Sequence, residues 1–439
     1  MLYLIIFSFI FSVVLSFHKN SEIFTPSKFY FLFLFLYFFD IFVSPQIFAV
    51  YIIYLVYIFL GIILILIEQK LIGNFKFHID ILRNLKKPTL LNPNPIFISL
   101  LFLTLIPLLS QLYMISLAGG LQAYFISMKL RVISWSGLGY IYIFRDFLPI
   151  INLFFFIVLL MFKFKSKKFW AIIYIFHLIL TLAIGAMSGS RSAILNTIVF
   201  NIVAFHFIIK EVKKRSIIFF SILLLLFSTI LYNARQQVSF DDGSLNFLNK
   251  DFSLVDSLKE KTTSIYGIIP LIIIYEKEYK NFNYGSTYLT TITNYIPKFI
   301  WPSKPSSSGV LLTKFYYGGL YEGSTNFSTG FITEGIMNFG YVLGPFIGSF
   351  FFITICCFVL IFYRSLKRDL IKQANNLDYI LDLKRTMRLI FFIIILVQIP
   401  ASSTIAESNN IGFNFIKQLV FYLFIEFFVY RLIHFKYKF

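Results

Sequence analysis

Glu334, Asn338 and Tyr341 recur at i, i+4 and i+7 in FITEGIMNFGY, so on a helix they form one polar stripe along an otherwise apolar segment. A carboxylate in such a place is costly unless water, cations or donors satisfy it, which makes Glu334 a candidate general base. The alternative is an acid in a first helical turn, favoured there by the helix dipole. Arginines supply the complementary chemistry. Arg191 in MSGSRSAIL, Arg235 in YNARQQ and Arg145 in FRDFLP each border an apolar run. A guanidinium can donate bidentate hydrogen bonds to phosphate and keeps its proton at neutral pH, so three of them at one membrane face could hold a pyrophosphate. The plainer readings are a snorkelling anchor for Arg191 and a local pair with Asp146 for Arg145. Ser188 and Ser192 would flank the Arg191 guanidinium if one helix ran through both.

Further along, YIPKFIWPSKPSSSG places Trp301 and Lys304 on a turn stiffened by Pro297, Pro302 and Pro305. Lys304 suits a phosphate or a sugar carboxylate. Trp301 joins it as a substrate-binding candidate, with an aromatic interfacial anchor before a proline stop as the alternative. Metal chemistry has no support, since the two cysteines, Cys356 and Cys357, are adjacent within an apolar run. No cofactor motif stands out. The five histidines, His18, His78, His177, His206 and His434, all map to cytoplasmic connections or to spans. Chemistry on the outer face would therefore fall to a carboxylate.

The elements that must position these groups follow from composition. With 58% hydrophobic, 20% aromatic and 13% charged residues and a mean hydropathy of +0.81, the chain is expected to be an all-α polytopic membrane protein. Apolar runs predict about eleven spans: 2 to 17, 29 to 43, 46 to 67, 96 to 117, 146 to 162, 169 to 187, 192 to 209, 216 to 232, 332 to 363, 389 to 405 and 414 to 432. The expected organisation is one transmembrane domain over 1–439. The first run lacks a cleavage site and reads as an uncleaved helix. Basic clusters around 70 to 87, 163 to 168, 210 to 215, 364 to 388 and 431 to 438 fall in alternate connections, which the positive-inside rule makes cytoplasmic. The net charge of +19 is thereby assigned to orientation and to contact with the anionic head groups of the lipid bilayer, not to nucleic acid.

Between the eighth and ninth spans lies a polar insert, 233–330, in which basic and acidic residues nearly balance. It belongs on the extracytoplasmic face, periplasmic or extracellular. Such long inserts carry function more often than they carry packing. Apolar residues from 252 to 278 predict amphipathic helices on the outer leaflet, and the segment after Gly285 predicts one helix that ends at the proline turn. In the span that follows, Gly340, Gly344 and Gly348 repeat every fourth residue and predict close approach to a neighbouring helix.

The ordered combination of SGSRSAIL, the large outer insert, GSTYLTTITNYIPKFIWPSKP and FSTGFITEGIMNFGYVLG resembles the bacterial O-antigen polymerases of the Wzy type. These segments cover about a third of the chain; the other helices match only in number and hydrophobicity. The resemblance implies a membrane glycosyltransferase of GT-C-like architecture that polymerises undecaprenyl-pyrophosphate-linked oligosaccharide repeat units at the outer face of the cytoplasmic membrane. It would need no nucleotide sugar and no obligatory metal. The product would be O-antigen of lipopolysaccharide or a related polysaccharide, and a chain-length regulator protein is a partner the resemblance allows. Glu334 would then be the base, Arg191 and Arg235 would hold the leaving pyrophosphate, and Lys304, Arg145, Asn338, Tyr341 and Trp301 would bind substrate. An O-antigen ligase and a flippase of lipid-linked oligosaccharide are the competing expectations. The absence of an outer-loop histidine favours the polymerase over the ligase, and the absence of internal repeats disfavours a transporter.

Overall fold

A computed structural model describes residues 1–17, 22–37, 48–72, 92–129, 143–187, 191–213, 238–241, 244–247, 268–279, 283–294, 300–318, 329–372, 379–405 and 408–437, with isolated positions between them. The regular elements among the described residues are helices apart from one short antiparallel hairpin, Val238–Asp241 with Ser244–Phe247, inside the predicted insert. Among the described residues five helices are long and apolar enough to cross a membrane: Phe48–Leu71, Asn94–Leu117, Ile143–Met161, Lys167–Met187 and Phe331–Leu366. Leu2–Ser16, Ile194–Ile208 and Met387–Pro400 are shorter apolar helices. Most of the predicted span 216 to 232 and most of 233–267 lie outside the described residues.

The chain forms two compact units, each discontinuous in sequence. The first comprises Met1–His78, Leu258–Lys367 and Ile395–Gln418; the second comprises Ile79–Ser257, Arg368–Ile394 and Leu419–Phe439.

In the second unit, helix Phe147–Met161 is buried along nearly its whole length among Asn94–Leu117, Lys167–Met187 and Arg191–Ile208. A helix whose one polar side chain is Asn152 has no polar face to turn outward, so it becomes the centre around which others pack. Rings fill the gaps: Phe97 stacks on Trp170 at 4.6 Å between centroids and meets Phe155 at 4.9 Å, while Trp170 Nε1 donates to Asn94 Oδ1 at 3.0 Å.

In the first unit, Leu2–Ser16 and Pro26–Tyr37 pack on Phe48–Ile72. The fully buried Tyr30 donates its hydroxyl to the carbonyl of Tyr57 at 2.8 Å. At the Lys70 end, Glu68 accepts both the N–H and the hydroxyl of Ser27 at 2.6 Å, satisfying a free amide at the start of Pro26–Tyr37.

The decisive feature of this unit is the segment Phe331–Lys372, which is not one straight helix. Gly340 has φ 79° and ψ 173°, a conformation that only glycine adopts without strain, and the chain reverses there. Along a continuous helix, Ile332 and Gly348 would stand about 24 Å apart. Instead, a Cβ added to Gly348 would lie 2.9 Å from the Ile332 backbone, and one added to Gly335 would overlap the carbonyl of Gly344. Residues 331–339 therefore form a short arm lying antiparallel against the start of a long arm that begins at 341. The single span expected over 332 to 363 is corrected accordingly. Its glycine repeat does permit close approach, but Gly344 and Gly348 meet the short arm of the same segment, and Gly340 is the turn.

The long arm exposes Val342, Leu343, Phe346, Phe350, Phe358 and Ile361, an apolar stripe about 30 Å long, the thickness of a bilayer core. Gly340 sits just beyond one end of the stripe. The short arm runs beside its first third, at a depth where lipid would surround it if other protein did not. It is accordingly buried from Phe331 to Asn338 on all sides. Non-spanning helices persist at such depth only when enclosed by protein or by a water-filled cavity.

Candidate functional site

The short arm exposes main-chain carbonyls at its Gly340 end, and these must find donors away from water. The chain at 283–285 supplies them. Asn283 N donates to Met337 O at 3.2 Å, Tyr284 N to Asn338 O at 3.1 Å, and the Asn283 side-chain amide to Met337 O at 2.9 Å. Gly285 at φ 83° then starts helix Ser286–Thr293, which runs back down the short arm. Tyr288 packs on Phe331 at 5.5 Å and on Phe351 at 5.4 Å. The first turns of Ser408–Tyr437 close the other side, because a Cβ on Gly412 would overlap the Thr291 side chain.

Three segments thus converge on Glu334, which is wholly buried. Its Oε1 accepts the Thr287 hydroxyl at 2.6 Å and the Ser408 hydroxyl at 2.9 Å, while Oε2 accepts the Ser408 N–H at 2.7 Å. Asn338, one turn along the arm, donates from Nδ2 to Thr287 Oγ1 at 2.7 Å and to Glu334 O at 2.9 Å, and its Oδ1 accepts Gly285 N–H at 3.0 Å. Each of these three contacts reaches the carboxylate from a donor. The shell is built for a negative charge, and it ties the short arm to Ser286–Thr293 and to Ser408.

The expected stripe is therefore half assembled. Glu334 and Asn338 share one face of the short arm, but Tyr341 lies past the reversal, where its hydroxyl reaches the carbonyl of Ala49 at 3.5 Å. Tyr341 is corrected out of the cluster because a rotation of i+7 holds only if the helix continues, and Gly340 stops it.

Lys304 sits beside the end of Ser286–Thr293. Its Nζ donates to Ile296 O, three residues past the helix, at 2.8 Å and to Thr293 O, the last carbonyl of the helix, at 3.5 Å. Trp301 is partly exposed and donates from Nε1 to Ser303 Oγ at 3.1 Å. The predicted helix after Gly285 and the turn over the described residues 300–307 are both present, and helix Ser308–Tyr316 follows.

The arginines belong to the other unit. Arg145 is buried in the turn Ile143–Asp146, with Nη2 3.8 Å from Asp146 Oδ1, the local pair that the sequence allowed. Arg191 is the first residue of Arg191–Ile208, and its side chain lies outside the described residues, as do Ser188 and Arg235.

Two residues of the carboxylate shell escape sequence reading. Thr287 and Ser408 lie 47 and 74 positions from Glu334, and nothing local marks them. The second unit holds a further polar centre, around His177 within one of its apolar helices. His177 Nδ1 is 3.1 Å from the Asn152 side-chain amide nitrogen and Nε2 is 3.1 Å from Thr104 Oγ1; Asn201 Nδ2 donates to Asn152 Oδ1 at 2.9 Å. An amide nitrogen only donates, so Nδ1 accepts, and Nε2 carries the proton toward Thr104. Among the described residues no group of three or more His, Cys, Asp or Glu is placed to hold a metal ion. Comparison with protein-family models, with curated proteins and with solved structures finds no match to this chain.

Proposed function

We propose that this chain is a membrane glycosyltransferase that polymerises undecaprenyl-pyrophosphate-linked oligosaccharide repeat units, with its site on the extracytoplasmic side of a bacterial cytoplasmic membrane. The observation that carries the proposal is the carboxylate shell on a helical reversal at the edge of an apolar stripe. It falls within the same TExxxNFG segment on which the resemblance rests. Interrupted helices at bilayer depth are a recurrent way of bringing polar groups to a membrane-embedded ligand. The count of eleven spans and the GT-C-like architecture belong to this proposal as well.

In the transfer step, an acceptor hydroxyl on the incoming repeat unit would attack the anomeric carbon of the growing chain and give its proton to Glu334. The bond from that carbon to the pyrophosphate oxygen would break, and the lipid pyrophosphate would leave with its electron pair. Arg191 and Arg235 would stabilise the charge that develops on it. The hydroxyls of Thr287 and Ser408 mark where an acceptor hydroxyl must come, so Ser408 would give way when substrate binds. Hydroxyl donors already in place also keep water from the base, which limits competing hydrolysis.

The test is gel analysis of surface glycan in a deletion strain complemented with variants. A single repeat unit on finished lipid in the deletion strain is the expected result. A complete absence of glycan on finished lipid would instead indicate lost export or ligation, and would replace the polymerase reading by a flippase or a ligase. Glu334→Gln and Arg191→Ala should abolish long chains at normal protein level, and Arg191→Lys should recover little because an ammonium cannot make the bidentate contact. Normal chain lengths in the first two variants would sink the site assignment.

A further inference from the structure

Helix Ser308–Tyr316 begins in the protein interior, where Ser308 Oγ lies 2.8 Å from Thr329 Oγ1, and ends on exposed residues Lys314, Tyr316 and Tyr317. Thr313, wholly buried, accepts the Phe327 N–H at 2.9 Å on its hydroxyl oxygen and donates that hydroxyl to Gly309 O at 2.6 Å. That bond returns the chain so that the Phe327 ring joins the two tyrosines. On the opposite side Phe315 sets its ring at 89° to Tyr275, at 5.3 Å, and so fixes the roll of the helix.

The three rings make a right-angled corner. Tyr317 and Phe327 are parallel within 6° at 6.4 Å, and Tyr316 stands perpendicular to both, at 5.0 Å and 5.4 Å. Tyr316 is 59% exposed and Tyr317 41%. Lys314 precedes Tyr317 by one helical turn, and a Cβ placed on Gly318 would meet no atom of the described residues within 4 Å. Aromatic faces attract the weakly positive C–H faces of a pyranose, and an ammonium attracts a carboxylate or phosphate.

We propose that Tyr316, Tyr317 and Phe327, with Lys314, form a carbohydrate subsite that takes a pyranose ring carrying a negative charge. The proposal rests on the glycan-polymerising reading given above and adds to it a place where the saccharide is held. The corner shares no residue with the Glu334 shell, so substitutions in it remove none of the carboxylate's hydrogen bonds.

Saturation-transfer NMR on the full-length protein in nanodiscs tests it, with methyl β-glucuronide and methyl β-glucoside as probes. The wild type should transfer saturation to both, more strongly to the glucuronide. Tyr317→Ala and Tyr316→Ala should each reduce the signal at least fivefold, Tyr316→Phe should retain most of it, and Lys314→Met should remove only the preference for the glucuronide. Wild-type transfer no greater than that of empty nanodiscs overturns the subsite. So does an unchanged signal in the Tyr316→Ala/Tyr317→Ala double variant, which would leave the rings as an anchor at the bilayer surface. Probe binding that follows these variants, together with unchanged glycan in the deletion strain, would keep the subsite and sink the polymerase reading alone.

Discussion

Glu334 in the first unit and His177 in the second are both polar side chains enclosed within apolar helices, yet they are satisfied in opposite ways. His177 lies on a helix that runs unbroken from Lys167 to Met187, so the main chain around it is already paired and the imidazole needs only side chains: Asn152, Thr104 and, through Asn152, Asn201. Glu334 lies on an arm of nine residues that begins after Gly330 and ends at Gly340. There the main chain itself is short of partners, and the same cluster that satisfies the carboxylate must also close the helix ends, through Gly285, Asn283 and Ser408. A polar group between whole helices locks their packing; a polar group on a broken helix holds the break. The second arrangement costs more to maintain and is the one suited to position a reacting group, because one cluster holds both the side chain and the main chain of the break.

The strongest way to break this contrast is at the reversal. Gly344→Val would drive a side chain into the carbonyl of Gly335, and no rotamer avoids a backbone neighbour, so the loss should exceed about 3 kcal/mol and appear as failure to accumulate folded protein. Gly340→Ala should be milder, about 1–3 kcal/mol, since it strains only the turn. A Gly344→Val protein that melts like wild type in detergent would show that the two arms are not in contact. Next in size is Glu334→Ala, which strands the Thr287 hydroxyl and both donors of Ser408, at a cost of about 3 kcal/mol or more. His177→Ala should cost less, about 1–2 kcal/mol, because the helices it joins keep their own hydrogen bonds and interhelical side-chain bonds in membranes are modest. A larger loss of thermal stability for His177→Ala than for Glu334→Ala would reverse the comparison.

Much of this was legible in the sequence, and the exceptions have a common physical form. Helix ends at Ser16, Ile72, Leu117, Met161 and Met187 fall close to the ends of apolar runs, because membrane helices stop where hydrophobicity stops. The pairing of Glu334 with Asn338 was legible because i and i+4 share a face whatever surrounds the helix. Its failure at Tyr341 was not, since a glycine inside an apolar run reads equally as a packing surface or as a turn, and only the backbone of Gly340 decides. Thr287 and Ser408 were invisible for a different reason: hydroxyls are common in membrane helices, and only the folded chain shows which of them face a carboxylate. His177 is an ionisable group within an apolar run, which implies partners on neighbouring helices, but only the packing shows that they are Asn152 and Thr104.

The smallest effect, and the sharpest, is at Lys304. Its ammonium covers the carbonyl of Thr293 at the end of the helix that carries Thr287 and that of Ile296 just past it, so part of its role is to hold that helix in place. Lys304→Met keeps the length and apolar stem and removes only the charge; as a helix cap it should cost about 0.5–1 kcal/mol. If the cap is its whole role, Lys304→Arg restores stability and glycan length together, because a guanidinium also donates to carbonyls. If the ammonium in addition meets the pyrophosphate or a sugar carboxylate, Lys304→Met shortens the glycan far more than a loss of that size can explain. Thermal melts and glycan gels on the same three proteins separate the two, since a cap moves both readouts in proportion and an anion contact moves only the second.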